Sequence, residues 1–222
     1  AVECRPTFST DDEMVQCLMA GGENAFVKAV EGAEDSKTLG VEDLKRINLN
    51  QNDVVVGIAA SGRTPYVVGG IEYAKEIGAK TGCIVTVKNS VLASIVDFPI
   101  EAVVGQEVIT GSTRMKSGTA QKMICNMIST ASMIRMGKVY ENYMIDVQAT
   151  NEKLVARSEG ILQQASGVTK EEAKELLKKF GSVKKALISV LTNVDDKSII
   201  EQALLKTKCH IRNAIEAVKK NG

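Results

Sequence analysis

Residues 53–60, Asp-Val-Val-Val-Gly-Ile-Ala-Ala, constrain this chain more than any other run. They are β-branched, unbroken and too apolar for a strand with one face in water. They predict a strand buried on both faces. The run breaks at Ser61-Gly62-Arg63-Thr64-Pro65, and over 64–77 the apolar residues Val67, Ile71, Ala74 and Ile77 recur on one helical face. Gly78 stops that helix, and Thr-Gly-Cys-Ile-Val-Thr-Val at 81–87 reads as the next buried strand. A short helix near 90–95 and a strand over 99–104 repeat the pattern. Strands alternating with helices, each strand buried on both faces, imply a parallel sheet in a three-layer α/β fold with right-handed crossovers.

The flanks are read by the same rules. Met-Val-Gln-Cys-Leu-Met-Ala at 14–20 predicts a buried strand that ends in Gly21-Gly22. A short helix is expected over 23–30, and 41–47 has helical spacing. After Thr110 the pattern becomes helical: a long helix over 113–136, whose methionines read as core filler, then a largely helical stretch over 139–164. Thr169 with Glu172 three residues later is a capping box. Short amphipathic helices follow over 170–179, 183–191 and 195 onward, read as a small helical appendage.

Composition removes several function classes. The charges of the 222 residues nearly cancel, to +1, so neither nucleic acid nor a solvating tail is indicated. The five cysteines (Cys4, Cys17, Cys83, Cys125 and Cys209) lack zinc-site spacing and read mostly as buried free thiols in a reducing, cytoplasmic compartment. The single histidine, His210, reads as a solvated helix residue, which leaves neither a histidine-based triad nor a metal cluster. The longest apolar stretch, 124–136, is too short to cross a membrane and carries Asn126, Ser129 and Arg135. The chain opens on Ala-Val-Glu-Cys without methionine, as a processed protein or a piece of a longer one would.

Three groups of residues could carry chemistry. The first, 61–65, follows the best strand and opens the best helix, where parallel sheets bind ligands and a helix N-terminus attracts anions. Ser61 and Thr64 offer hydroxyls, Gly62 a close backbone approach, and Arg63 a charge. The same residues could simply cap a helix, and both readings stand on local geometry. The second is Thr110 to Thr119, where Ser112, Thr113, Arg114 and Lys116 gather after Glu107. It reads either as a polar pocket or as a cap with solvated charges. The third is a set of carboxylates, Glu3, Glu31, Glu34 and Asp35, which pattern alone assigns to the surface.

Together these residues resemble a known family. Val-Glu-Gly-Ala-Glu-Asp at 30–35, Gly-Ile-Ala-Ala-Ser-Gly-Arg-Thr-Pro-Tyr-Val at 57–67 and Thr-Gly-Ser-Thr-Arg-Met-Lys-Ser-Gly-Thr-Ala-Gln-Lys at 110–122 are similar to the etherases that cleave N-acetylmuramic acid 6-phosphate. So are Asn126-Met127, Gly-Lys-Val-Tyr-Glu-Asn at 137–142 and Asn-Glu-Lys-Leu at 151–154. The resemblance implies the sugar-isomerase (SIS) fold, a doubly wound parallel sheet, over 1–157. It implies a ubiquitin-associated-like helical tail over 158–222. It also implies a preceding segment with a Gly-Ala-Gly-Thr-Ser-Gly-Arg loop, which this chain does not contain.

The chemistry implied is a lyase reaction on an opened aminosugar. One carboxylate removes the C2 proton, the enolate expels lactate from C3, and water adds to the unsaturated aldehyde, giving N-acetylglucosamine 6-phosphate and D-lactate. The resemblance makes Glu3 the acid that protonates lactate and Glu34 the base at C2. Ser61, Gly62, Arg63 and Thr64 would hold the anionic end of the substrate, with Ser112, Thr113 and Lys116 as secondary binding residues. No metal or other cofactor is expected. The expected partners are a small sugar phosphate and a second copy of the chain, without nucleic acid or membrane. A sugar-phosphate-binding regulatory protein without catalysis is the alternative, which the presence of both Glu3 and Glu34 disfavours. An aldose–ketose isomerase would share the enolisation but would release no lactate.

Overall fold

The computed structural model describes residues 1–149 and 151–221. A short helix α1 (Cys4–Phe8) opens the chain, and α2 (Lys37–Arg46) leads into strand β1 (Val54–Ile58). Helix α3 (Pro65–Glu76), strand β2 (Lys80–Val85), helix α4 (Val91–Ile95) and strand β3 (Phe98–Glu101) follow, then the long helix α5 (Lys116–Arg135). Strands β4 (Val139–Tyr140) and β5 (Tyr143–Met144) precede helices α6 (Glu152–Ser166), α7 (Lys170–Phe180), α8 (Val183–Thr192), α9 (Lys197–Lys206) and α10 (Ile211–Asn221). Two compact units result, Cys17–Met127 and Ala1–Gln16 with Ile128–Gly222. The boundary that the sequence suggests at 157/158 falls inside α6.

In the Cys17–Met127 unit the three strands pair in the order β1-β2-β3, all parallel, with Val56 opposite Gly82 and Ile84 opposite Ile100. This is the parallel α/β sheet that the alternating pattern predicts. Helix α3 packs on β1 and β2, α4 packs on β2 and β3, and the two helices touch. Both therefore cover one face of the sheet, over a core of Ala59, Val68, Ile71, Cys83, Val85 and Leu92. Helix α2 lies close against α3. A Cβ on Gly40 would stand 2.2 Å from the Tyr66 carbonyl oxygen, and one on Gly69 2.3 Å from that of Lys37. No larger residue fits either crossing point.

Strand β1 departs from the expectation of burial on both faces. Its Val55 and Gly57 face α3, whereas Val54 and Ile58 stay 64% and 44% exposed. Side chains alternate along a strand, so covering one face leaves the other residues outside. Residues 14–20 form irregular chain between turns rather than a buried strand, with Met14 and Met19 exposed. An apolar run becomes a strand only beside a partner, and none pairs with it among the described residues. The helix expected over 23–30 is a single 3-10 turn, Glu23–Phe26. Along α5, Met123 and Met127 are exposed and only Met133 is buried, so the core-filler reading holds for one methionine of that helix.

The helical unit has its own core around Leu162, Phe180, Val183, Leu187, Ile188, Ile200 and Ile211. Each fully buried side chain of this size contributes about 1.5–3 kcal/mol relative to exposure. The capping box is present: the Thr169 hydroxyl accepts from the Glu172 amide at 3.3 Å, and Glu172 accepts from the Thr169 amide at 2.8 Å. Residues 139–144, expected to be helical, are instead the antiparallel pair β4–β5, with Glu141 in the left-handed region at φ 52°. His210 is not a solvated helix residue. It precedes α10 and packs on Gly137, and its Nδ1 is buried without a partner among the described residues. All five cysteines are free: Cys4 and Cys83 are buried, Cys125 is half-buried, and Cys17 and Cys209 are exposed, fewer buried thiols than the sequence suggests.

Candidate functional site

The 60–64 loop is built by the end of β2. Thr86 donates both its amide and its hydroxyl to the Ala60 carbonyl, each at 3.0 Å. Gly62 turns the chain at φ +63°, and a Cβ there would lie 2.3 Å from Ser90 Oγ. Its carbonyl accepts from the Leu92 amide at 2.9 Å, so the loop is clamped to the start of α4. Thr64 precedes Pro65 at the first helical turn of α3, and the Thr64 hydroxyl makes no capping bond. Among the described residues no hydrogen bond or ion pair engages the side chains of Ser61, Arg63 or Thr64, and Ser61 and Arg63 are exposed. A fixed backbone with uncommitted hydroxyls and a cation at a helix N-terminus can take an anion. The simple-cap reading loses its main support, because the hydroxyl that would cap does not.

The start of α5 is tied to this loop. Thr86 Oγ1 and the buried Ser117 Oγ are hydrogen-bonded at 3.0 Å. One threonine thus holds both the 60–64 loop and the first turn of α5. The helix is capped by Glu107, whose carboxylate accepts from the Lys116 and Ser117 amides, each at 3.0 Å. These bonds, first that from Ser117 and then that from Lys116, hold the Glu107 carboxyl below its ordinary value. The secondary candidates are engaged locally. Lys116 Nζ donates to the Gln106 carbonyl at 2.6 Å, and Ser112 Oγ accepts from Arg114 Nε at 3.2 Å. Thr113 is exposed, and its carbonyl accepts from the Gly118 amide at 3.0 Å.

Glu34 sits in the 3-10 turn Ala33–Asp35, which Gly32 opens at φ 74°. The turn packs on α3, the helix that the 60–64 loop opens, with Ala33 buried and Glu34 exposed. At the start of α3, buried Tyr66 donates to Asp43 Oδ2 on α2 at 2.6 Å. Burial, and then Asp43, hold that phenol far above its ordinary value, so it stays neutral. Glu3 belongs to the other unit. It is exposed at the start of α1. An open groove of about 340 Å³ between α2 and α3, lined by Lys37, Lys45, Glu72 and Tyr73 among others, contains none of the candidates. No cluster of metal-ligating side chains occurs among the described residues.

Of the supporting residues, Thr86, Ser90 and Ser117 are assigned no role by the sequence, and Glu107 is read there as part of a polar pocket rather than as the cap of α5. Thr86 interrupts an otherwise apolar strand and Ser90 precedes a short helix, which are weak local signals. Glu107 stands nine residues before the helix it caps, and no local motif spans that gap.

Comparison with known proteins places the chain. Residues 3–75 match the glucokinase regulatory protein N-terminal SIS domain, residues 40–131 the SIS domain, and residues 141–220 the C-terminal lid domain of glucokinase regulatory protein. An N-acetylmuramic acid 6-phosphate etherase of Clostridium botulinum is 56% identical over 90% of this chain and 67% of its own length. Proteins of that description from Bacillus cereus and Bacillus anthracis are 53% identical over 97% of this chain and 73% of theirs.

The chain belongs to the N-acetylmuramic acid 6-phosphate etherase family.

Membership in the etherase family accounts for the α/β sheet, the SIS architecture and the helical lid together. No helix among the described residues is long and apolar enough to cross a membrane.

Proposed function

We propose that this chain is a carbon–oxygen lyase that cleaves the lactyl ether of N-acetylmuramic acid 6-phosphate in amino-sugar catabolism. The observation that carries the reading is the family match over nearly the whole chain, joined to an anion-ready loop at 61–64. The phosphate is held by the Ser61 and Thr64 hydroxyls, the Arg63 guanidinium and the amides at the start of α3. Anchoring that end fixes the reacting carbons for proton transfer. Ser112, Thr113 and Lys116 are secondary candidates for holding the substrate.

Glu34 takes the proton from C2 of the open-chain aldehyde, and the C–H electron pair forms the enolate. The enolate pair becomes the C2–C3 double bond as the C3–O bond breaks. Glu3 supplies the proton that leaves with lactate. Water then adds at C3, giving one proton to Glu3 while C2 recovers one from Glu34. Atoms and charges balance without a cofactor, and the roles suit an acid and a base kept apart. The free thiols support a cytoplasmic site of action, and exposed Met123 and Met127 on α5 support a homodimer.

The test is lactate release from N-acetylmuramic acid 6-phosphate, by this chain and by a form extended with the amino-terminal residues of the Bacillus cereus relative. Release that vanishes in Glu34→Ala supports the lyase. Saturable binding of the sugar phosphate without lactate from either form would favour a regulatory binder.

A further inference from the structure

In the helical unit, three charged side chains meet away from solvent. Lys184, on α8, is 5% exposed and donates from Nζ to Asp146 Oδ2 at 2.6 Å and to the Cys209 carbonyl at 3.0 Å. Lys138 Nζ approaches the same carboxylate oxygen at 3.5 Å. Two ammonium groups thus share one carboxylate, so neither lysine is matched by an acid of its own. Buried ammonium groups need further acceptors. Lys138 finds one in the Phe8 carbonyl, at 2.8 Å, where α1 ends.

A second bond ties the same place. The Ser9 hydroxyl donates to the Asp146 backbone carbonyl. Ser9 itself closes α1 in the left-handed region at φ 48°, its amide bonded to the Arg5 carbonyl at 2.9 Å. Cys4 is buried, and its amide donates to the Ala1 carbonyl at 2.8 Å. The segment carrying Glu3 is thus a single helical turn fastened at its far end, and the fastening runs through Lys138 and Asp146 from either side. Side-chain bonds to a turn that short decide where its first residue stands, because so small a helix holds little direction of its own.

We infer that Lys138, Asp146 and Lys184 form the positioning device for Glu3, setting the acid through the Phe8 carbonyl and the Ser9 hydroxyl. This rests on the reading of Glu3 as the acid that protonates lactate. Lys138 and Asp146 act on the reaction only through Glu3; they are positioning residues. A displaced acid slows C3–O cleavage, whereas proton removal at C2 belongs to Glu34 and continues. The enolate then returns to substrate more often, and exchange at C2 outruns lactate release.

The experiment uses the active form in deuterated water with N-acetylmuramic acid 6-phosphate, following lactate and deuterium at C2 of recovered substrate. In Lys138→Met, kcat for lactate falls about tenfold or more and the ratio of exchange to lactate rises by a similar factor, the scale of a catalytic group misplaced by part of an ångström. KM stays within about twofold, since the phosphate-holding residues are not in this network. Lys138→Arg, which can still reach both oxygens, restores the ratio. Simple loss of folded protein lowers exchange and lactate together and cannot move their ratio. Should Lys138→Met lose its cooperative unfolding, Ser9→Ala carries the same test with every charge in place. A folded variant with unchanged kcat, or with both rates lowered equally, overturns the inference while leaving the lyase intact. Wild-type protein without lactate, or with lactate insensitive to Glu3→Gln, overturns the reading beneath it.

Discussion

Gly62→Ala tests whether the 60–64 loop is held as described. An added Cβ meets Ser90 Oγ at 2.3 Å, Ser90 Cβ at 2.4 Å and Val85 Cγ1 at 3.0 Å, and Gly62 sits at φ +63°. The left-handed conformation costs a β-carbon about 1–2 kcal/mol. Forcing a methyl into a packed site costs about 1–3 kcal/mol more. The expected destabilisation is therefore about 2–5 kcal/mol, a large part of a typical domain stability of about 5–15 kcal/mol. The chain has two units, so a single unfolding curve is a poor gauge, and a local probe is better. Cys83 supplies one: it is fully buried in β2, and burial raises its thiol pKa, so it reacts only when this unit opens. Thiol labelling, resolved to the Cys83 peptide by mass spectrometry, should quicken about 30-fold or more in Gly62→Ala, since each 1.4 kcal/mol is a factor of ten. In a Ser90→Gly background the two shortest clashes disappear and only the Val85 contact remains. There the same substitution costs mainly the backbone share, and the lost cap on α4 costs a few tenths of a kcal/mol. A Cys83 labelling rate within about twofold of wild type would refute the claim that Gly62 is required by both conformation and space.

Other predictions follow the same logic. Asp146→Ala leaves Lys184 and Lys138 buried without their carboxylate and should cost about 3–5 kcal/mol in urea unfolding, and adding Lys184→Met should recover much of that loss. Tyr66→Phe removes a buried hydrogen bond to Asp43 and should cost about 1.5–3 kcal/mol, as bonds to charged groups do; in wild type, ultraviolet titration should leave Tyr66 un-ionised at pH 11 while the fold persists. The depressed pKa of Glu107 stabilises the fold fully above its ordinary value of 4.5, and the effect is lost as pH falls through the lower folded value. The difference in thermal midpoint between wild type and Glu107→Gln should accordingly be constant near neutrality and shrink in acid.

What the sequence discloses is what neighbouring residues encode. The β1–loop–α3 unit is legible because an apolar run, a glycine and a first-turn proline stand in order. The Thr169 capping box is legible because its partners are three residues apart. The 139–144 hairpin is hidden. Val139-Tyr140 and Tyr143-Met144 are too short to show alternation, and the turn rests on Glu141, a residue that seldom takes positive φ. The strand expected at 14–20 fails because apolar composition does not say whether a pairing partner exists. The methionines of α5 have helical spacing, but which face meets the fold is decided elsewhere in the chain. The candidate site divides in the same way. The 61–64 loop follows from local geometry, while Glu3 and Glu34 gain roles only through family resemblance. The Thr86–Ser117 link and the Lys138–Asp146–Lys184 cluster join residues far apart in sequence, and no spacing rule could bring them together.

The central claim is cleavage by elimination and hydration, and isotopes test it most directly. The reaction is run on N-acetylmuramic acid 6-phosphate in deuterated water enriched in oxygen-18, and the N-acetylglucosamine 6-phosphate formed is read by mass spectrometry and NMR. The account predicts one solvent-derived oxygen at C3 at the enrichment of the water, deuterium at C2 to the extent that the Glu34 proton exchanges with solvent before its return, and an unlabelled lactate hydroxyl. Product without oxygen-18 at C3, or oxygen-18 in the lactate hydroxyl, would contradict it.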